Sequence, residues 1–88
     1  MIRPNDVVLH KPTAETWVVC GVDYEQGELI PCGYHFPTIA KLSDCLLLEE
    51  HYITSPQSKE TIKTLQEHRL ERFIDVRSAM WHGIIYEV

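Results

Sequence analysis

Short apolar stretches separated by turn residues fill the first half of the chain, from Asp6 to Glu50. This spacing is typical of a small all-β unit. The segment 31–37 is rich in Gly, Pro and aromatic residues, so we expect a loop with few torsional options that begins where Pro31 ends a strand. The apolar stretches predict five short strands, at 7–9, 16–22, 28–30, 38–41 and 45–48.

The stretch 16–22 is the clearest strand, because β-branched and aromatic residues dominate it. Strict alternation divides the side chains of a strand between its two faces. One face would carry Trp17, Val19 and Gly21, and the other Val18, Cys20 and Val22. We expect Trp17 to fill the core rather than to line a binding groove.

Helical signals follow the fifth strand. Ser55 offers a hydroxyl N-cap, and Pro56 suits the first position of a helix. Ile62 and Leu65 then begin an apolar stripe at helical spacing. Together these signals predict a helix over 56–68.

A second helical segment is expected within 71–82, with Gly83 as its C-cap. Asp75 could instead cap a shorter helix. The apolar side chains of this region are expected to pack on their own domain rather than to bind a partner: Phe73, Met80, Trp81 and Ile84. The final residues, 84–88, could add an edge strand to the sheet or fray, and we favour the strand.

A single core must supply the stability, because 88 residues form one domain, 1–88, with no room for two. Homo-oligomerisation would add buried surface to so small a domain.

No stretch approaches the roughly 18 apolar residues of a membrane span, and the N-terminus has no apolar run after Arg3. We therefore expect a cytoplasmic protein with no membrane partner. Its odd number of widely spaced cysteines, three, indicates reduced thiols rather than a disulfide framework.

The charge balance bears on the kind of partner. The net charge is −5, and neither half of the chain is basic. A surface that tracks phosphates needs clustered Lys and Arg, so we expect a protein partner and regard nucleic acid as the less favoured alternative.

The order of the apolar motifs resembles that of small bacterial SH3-like barrel proteins. The motifs are Asp6-Val7-Val8, Trp17-Val18-Val19 with Gly21-Val22, a glycine-containing hairpin, and Ala40-Lys41-Leu42. The match covers 6–50, and Asn5 stands where that pattern usually has glycine. The resemblance implies a small SH3-like β-barrel of about five short strands over 6–50, and the C-terminal helices have no counterpart in the shortest members of that family. Together with the one or two helices predicted over 55–83, the expected fold class is α+β. The resemblance implies a binding module only at the level of the fold and supplies no site residues.

Three thiols and one imidazole are an acceptable tetrahedral zinc set, and the candidate ligands are Cys20, Cys32, His35 and Cys45. Structural zinc sites usually contain paired C-x₂₋₄-C knuckles, however, and this sequence has none. Cysteine also packs well as a small apolar side chain. We therefore expect buried thiols and no metal or other cofactor, with a zinc-stabilised domain as an alternative.

The chain contains no recognisable catalytic motif, so we expect no enzymatic activity and assign no catalytic residues. Aromatic residues on loops are the best candidates for contact with a partner. The candidates are Tyr24, Tyr34, His35 and Phe36. The sequence therefore predicts a small non-enzymatic protein-binding or adaptor module, with a nucleic-acid-binding barrel as the alternative.

Overall fold

A computed structural model describes residues 1–84. The strands are β1 (Val7–His10), β2 (Glu15–Asp23), β3 (Glu28–Pro31), β4 (Ala40–Lys41) and β5 (Cys45–Glu49), and the helices are α1 (Lys59–Glu67) and α2 (Val76–Trp81). Three 3₁₀ turns lie at Gly33–His35, Leu42–Asp44 and Glu71–Phe73. The expected α+β class is confirmed, as are strands near all five predicted positions. No helix within the described part of the chain is long and apolar enough to cross a membrane.

The five strands form one open antiparallel sheet in the order β4-β3-β2-β1-β5. The long second strand is central, and it pairs with β1 through Val8 and Trp17 and with β3 through Val22 and Leu29. All four of these side chains are buried. As expected, Trp17 belongs to the core.

A β-bulge at Cys20 changes the face of the sheet to which the later side chains of β2 point. Val19 pairs with Pro31, but Gly21 pairs with Ile30, so β2 has one more residue than β3 at this point. A bulge re-aims the side chains that follow it. The expectation that Cys20 and Val22 share a face is therefore wrong, because Val22 joins Val19 in one apolar cluster while Cys20 lies in another.

The two apolar clusters define the architecture. The first core lies among the strands and consists of Val8, Trp17, Val19, Val22, Leu29 and Ala40. The second core lies between the sheet and the helical region and consists of Cys20, Ile30, Leu65 and Phe73, with Cys32, Phe36, Leu70 and Ile74 packed against it. The helical region therefore covers sheet residues that would otherwise be exposed to water.

Helix α1 begins later than predicted. Its N-cap is Ser58, whose Oγ accepts a hydrogen bond from the N–H of Thr61 at 3.1 Å. The prediction of a start at Ser55 and Pro56 is wrong, because the segment before the helix places Gln57 in the interior, where its side chain is fully buried. The chemical signal, a hydroxyl N-cap, is the same at both serines.

The second helical segment is divided, as the shorter alternative predicted. The 3₁₀ turn Glu71–Phe73 ends in extended backbone at Ile74, and Asp75 caps α2. Gly83 has a φ of 71° and ends α2 in a Schellman motif, with the N–H of Ile84 donating to the carbonyl of Ala79 at 2.9 Å. The predicted edge strand over 84–88 lies outside the described residues except for Ile84.

Helix α1 ends in the same motif, but with Arg69 in the left-handed region at a φ of 58°. The N–H of Leu70 donates to the carbonyl of Leu65 at 2.7 Å. Because a Cβ atom makes this conformation costly, we expect Arg69→Gly to raise the free energy of unfolding by about 0.5 kcal/mol, net of the extra freedom of glycine in the unfolded chain. Urea denaturation measures the change. The Arg69→Ala variant keeps the Cβ atom and should show no gain; an equal gain would mean that the guanidinium, not the backbone, is responsible.

Candidate binding groove

The buried carboxylate of Asp6 joins the N-terminus to the segment that follows β5. Its Oδ1 accepts hydrogen bonds from the backbone N–H groups of His51 at 2.7 Å and Tyr52 at 3.0 Å. Its Oδ2 accepts a hydrogen bond from the backbone N–H of Arg3 at 3.0 Å. Burial of a carboxylate is tolerated when its oxygens are bonded in this way. The result is that Arg3 and Tyr52 are held next to each other although they are far apart in sequence.

Tyr52 in turn contacts helix α2. Its hydroxyl donates to Oδ2 of Asp75, the N-cap residue of the helix. Burial, and then the bond to Asp75, raises the pKa of Tyr52 further above neutral pH, where a phenol is a donor even without the shift. The Tyr52 ring is thereby fixed between the N-terminal segment and the first turn of α2.

Two arginines flank this ring. The guanidinium carbon of Arg3 lies 5.3 Å from the ring centroid of Tyr52, and that of Arg77 lies 5.9 Å from it. Both separations are within the range of cation–π attraction. A groove of about 360 Å³ opens here, and its lining is Arg3, Tyr52, Ile53, Pro56, Arg77, Ser78 and Trp81. We refer to this surface as the Arg3–Arg77 groove.

The groove exposes large apolar side chains beside its positive charges. Trp81 is 70% exposed and Ile53 is 83% exposed. The expectation that Trp81 packs on its own domain is therefore wrong, because the short helix α2 buries Ser78 and Ala79 instead. Phe73, from the same predicted stripe, is fully buried as expected.

The arginines of the groove have no acidic partner among residues 1–84 at ion-pair distance. The carboxylates of Asp6 and Asp75 instead accept hydrogen bonds from backbone N–H groups and hydroxyls. Arg72, by contrast, is paired with two carboxylates. The groove therefore offers two guanidinium groups to an external acceptor.

The four aromatic contact candidates lie elsewhere. Tyr34 is 97% exposed, and the ring of His35 lies 5.2 Å from that of Trp17 while its Nε2 is 3.0 Å from Glu15. Phe36 packs against the second core, and the Tyr24 hydroxyl donates to the backbone carbonyl of Ile2 at 2.6 Å. None of the four candidates lines the Arg3–Arg77 groove. Their role in binding stays a prediction, with Tyr34 the most accessible of them.

The four candidate metal ligands are not brought together. Cys20 and Cys32 lie side by side, but Cys45 packs against the first core and its thiol donates to the carbonyl of Lys41 at 3.5 Å. The ring of His35 faces Glu15. No group of three or more His, Cys, Asp or Glu side chains suited to a metal occurs within residues 1–84. The separation has a topological cause, because Cys45 begins β5, which pairs with β1 at the far edge of the sheet from β3.

A second charged site links the sheet to the helical region. Nη1 of Arg72 lies 2.8 Å from Oδ2 of Asp23 and 2.7 Å from Oε1 of Glu28. The Arg72 guanidinium, together with backbone N–H groups from Gln26 and Glu25, lowers the pKa of Asp23. The ionised carboxylate is therefore favoured in the folded state.

This shift predicts a loss of stability in acid. A carboxyl group whose pKa is lower in the folded state stabilises the fold above its unfolded pKa of about 4. That stabilisation is lost as the pH falls through the folded value. We therefore expect Asp23→Asn to flatten the decrease in urea midpoint below about pH 4. The exposed control Glu67→Gln should keep the wild-type profile, and an unchanged profile in Asp23→Asn would contradict the assignment.

Comparisons with protein-family models, with curated proteins and with solved structures give no match to this chain. Function therefore has to be inferred from the arrangement of its own residues. Of the surfaces described, the Arg3–Arg77 groove is the one that places exposed aromatic and apolar side chains beside charged groups.

Proposed function

We propose that this protein is a small non-enzymatic protein-binding module and that the Arg3–Arg77 groove is its binding surface. The observation that carries the proposal is a pair of guanidinium groups, without acidic partners among residues 1–84, beside the exposed indole of Trp81. Trp, Tyr and Arg are the residue types most enriched where binding energy is concentrated in protein interfaces. The groove contains all three types.

The occupant we infer is a protein segment with acidic residues next to a large apolar side chain. Arginine binds carboxylates with paired, charge-assisted hydrogen bonds, and Trp81 with Ile53 provides the apolar contact. The chain carries a net charge of −5, so this pair of cations is a local exception on an acidic protein. Charge complementarity of this kind directs a partner to one place on the surface.

Preorganisation also favours the groove. Tyr52 is held by a backbone bond to Asp6 and a hydroxyl bond to Asp75, and each arginine rests over the Tyr52 ring. Side chains that are already ordered lose less entropy when a partner binds. The three residues therefore present a fixed pattern of charge and aromatic surface.

The proposal includes an SH3-like barrel as the scaffold. The strand order β4-β3-β2-β1-β5, with a 3₁₀ turn between β4 and β5, supports it. Asn5 has a φ of 70°, a conformation that glycine and asparagine tolerate best, and it occupies the position where the barrel pattern has glycine. A cytoplasmic location is part of the proposal and accords with three free cysteines.

The test is a selection from a random-peptide display library on the immobilised full chain. The library is depleted beforehand on the double variant Arg3→Ala/Arg77→Ala. We expect enriched sequences to place Asp or Glu next to an aromatic or large aliphatic residue. A synthetic peptide of the best sequence should then lose about tenfold to a hundredfold in affinity on Arg77→Ala or Trp81→Ala, as expected for one charged hydrogen bond or one aromatic anchor.

The matched control is Lys63→Ala, which removes an exposed cation from α1 outside the groove and should leave the affinity unchanged. Enrichment of no sequence, or of sequences without acidic residues, would overturn the proposal. Tighter binding of a single-stranded DNA oligonucleotide than of the peptide would favour a nucleic-acid function instead. A dimer that Trp81→Ala converts to a monomer in sedimentation would identify the occupant as a second copy of the chain.

A further inference from the structure

Cys20, in β2, and Cys32, one residue after β3, form a pair of adjacent thiols. The bulge in β2 directs Cys20 towards the second core, and the N–H of Cys32, just beyond β3, donates to the carbonyl of Val18 at 2.8 Å. The two side chains meet at the second core and line one groove beside α1. This contact follows from the pairing of β2 with β3, so it is built into the sheet.

The pair is open to small molecules on one side. A groove of about 260 Å³ is lined by both cysteines, by Gly33 and Phe36, and by side chains of the first turns of α1. Cys20 is buried, whereas Cys32 is partly exposed. An incoming reagent would therefore meet Cys32 first.

The two thiols are chemically unequal, because Cys20 is buried and Cys32 is partly exposed. The neighbouring Cys20 thiol lowers the pKa of Cys32. The proximity of Cys32, together with burial, raises the pKa of Cys20. Because the thiolate is the nucleophilic form of cysteine, Cys32 is also the more reactive of the two.

We propose that Cys20 and Cys32 are a dithiol modification site that a low-molecular-weight disulfide converts into an intramolecular disulfide, with Cys32 as the attacking thiol. The Cys32 thiolate attacks one sulfur of the reagent R–S–S–R, forms a Cys32–S–S–R bond and releases one R–S⁻. Cys20 then loses its proton to solvent and attacks the Cys32 sulfur, which releases the second R–S⁻. Two protein thiols are oxidised, and one reagent disulfide is reduced to two thiols.

Cys45 is an internal control for this site. Its thiol contacts the first core, donates to the carbonyl of Lys41, and has its pKa raised by burial and then by the charge of Asp44. No second cysteine lies next to it, since the other two share the groove beside α1. If accessibility alone decided the outcome, Cys45 would give the same kind of oxidation product as Cys20 and Cys32.

The experiment incubates the reduced full chain with glutathione disulfide at neutral pH, followed by acid quenching, alkylation and peptide mapping by mass spectrometry. We expect loss of two of the three alkylatable thiols, a product lighter by two hydrogens, and a crosslink between the peptides of Cys20 and Cys32. Under limiting alkylating reagent at neutral pH, Cys32 should react at least about tenfold faster than Cys20 or Cys45.

Two variants separate the steps. Cys20→Ser should stop at a stable mixed disulfide on Cys32, and Cys32→Ser should leave Cys20 unmodified, while Cys45→Ser should behave as wild type. The wild-type peptide map remains decisive if a variant fails to fold. A wild-type product that stops at the mixed disulfide, forms intermolecular dimers, or carries the modification on Cys45 would overturn the proposal. Neither set of outcomes depends on whether the Arg3–Arg77 groove binds a partner.

Discussion

Replacing Gln57 with alanine is expected to lower the free energy of unfolding by about 4 kcal/mol, because one buried side chain satisfies three backbone groups. Its Nε2 donates to the carbonyl of Cys20 at 2.8 Å and to that of Phe73 at 3.0 Å. Its Oε1 accepts from the N–H of Asp75 at 2.8 Å. Gln57 thus joins the bulge of β2, the 3₁₀ turn and the N-cap of α2.

Alanine would leave these three backbone groups without partners. Each unsatisfied buried group costs about 1–3 kcal/mol, and entry of water into the space left by the amide would recover part of that cost. A loss of about 4 kcal/mol is a large share of the stability of a small domain. In a chain of this length it corresponds to a decrease in Tm of roughly 15 °C or more.

Urea and thermal denaturation measure the effect, and the chain offers a matched control. Gln66→Ala removes the same side chain from an exposed position on α1 and should change the stability by no more than about 0.5 kcal/mol. Gln57→Glu keeps the shape and the acceptor oxygen but replaces the donating nitrogen with an oxygen that faces two carbonyl groups. We expect it to be at least as destabilising as alanine. Similar stabilities of Gln57→Ala and Gln66→Ala would contradict this account.

Local patterns predicted the sheet well, because strand signals depend on neighbouring residues. The alternation around Trp17 identified β2, and the turn residues around Gly27 separated it from β3. The bulge at Cys20 could not be predicted in this way. It depends on how β2 pairs with β3, and nothing in the composition of 16–22 specifies an extra residue there.

The start of α1 shows the same limit. Ser55 and Ser58 are equivalent N-caps by local chemistry, and Pro56 favoured the wrong one. The choice is decided by Gln57, whose partners Cys20 and Phe73 are distant in sequence. Burial of a glutamine is unusual enough that sequence reasoning would place it on the surface.

The groove was missed for a related reason. Arg3, Tyr52 and Arg77 come from three separate segments, and the buried carboxylate of Asp6 brings the first two together. Trp81 belongs to the apolar stripe predicted for the second helical segment, but such a stripe indicates only that one face of a helix is apolar. Whether that face is covered depends on how short α2 is and where it lies, so the exposure of Trp81 could not be read from the pattern.

A second large effect is expected at Gly21, where β2 lies directly against the backbone of Phe73. A Cβ atom on this residue would lie 2.2 Å from the carbonyl oxygen of Phe73 and 2.8 Å from its Cβ atom. The Nε2 atom of Gln57 would lie 3.0 Å away. Phe73 cannot easily move, because its ring is buried in the second core and its carbonyl is bonded to Gln57. We therefore expect Gly21→Ala to lower the free energy of unfolding by about 3 kcal/mol through overpacking.

The loss of stability should be uneven across the molecule, since the clash would push the helical region away from the sheet without breaking the pairing of the strands. Hydrogen exchange should increase in α1, in α2 and at Phe73, while amides that pair β1 with β5 remain protected. The control is Gly27→Ala, at a position with a φ of 66° and open space around the added atom. It should cost only about 1 kcal/mol, from backbone strain. If both variants lost the same stability, or if Gly21→Ala raised exchange uniformly, the helical region would not be held to the sheet at this contact. The second core would then have to be stabilised by its apolar side chains alone.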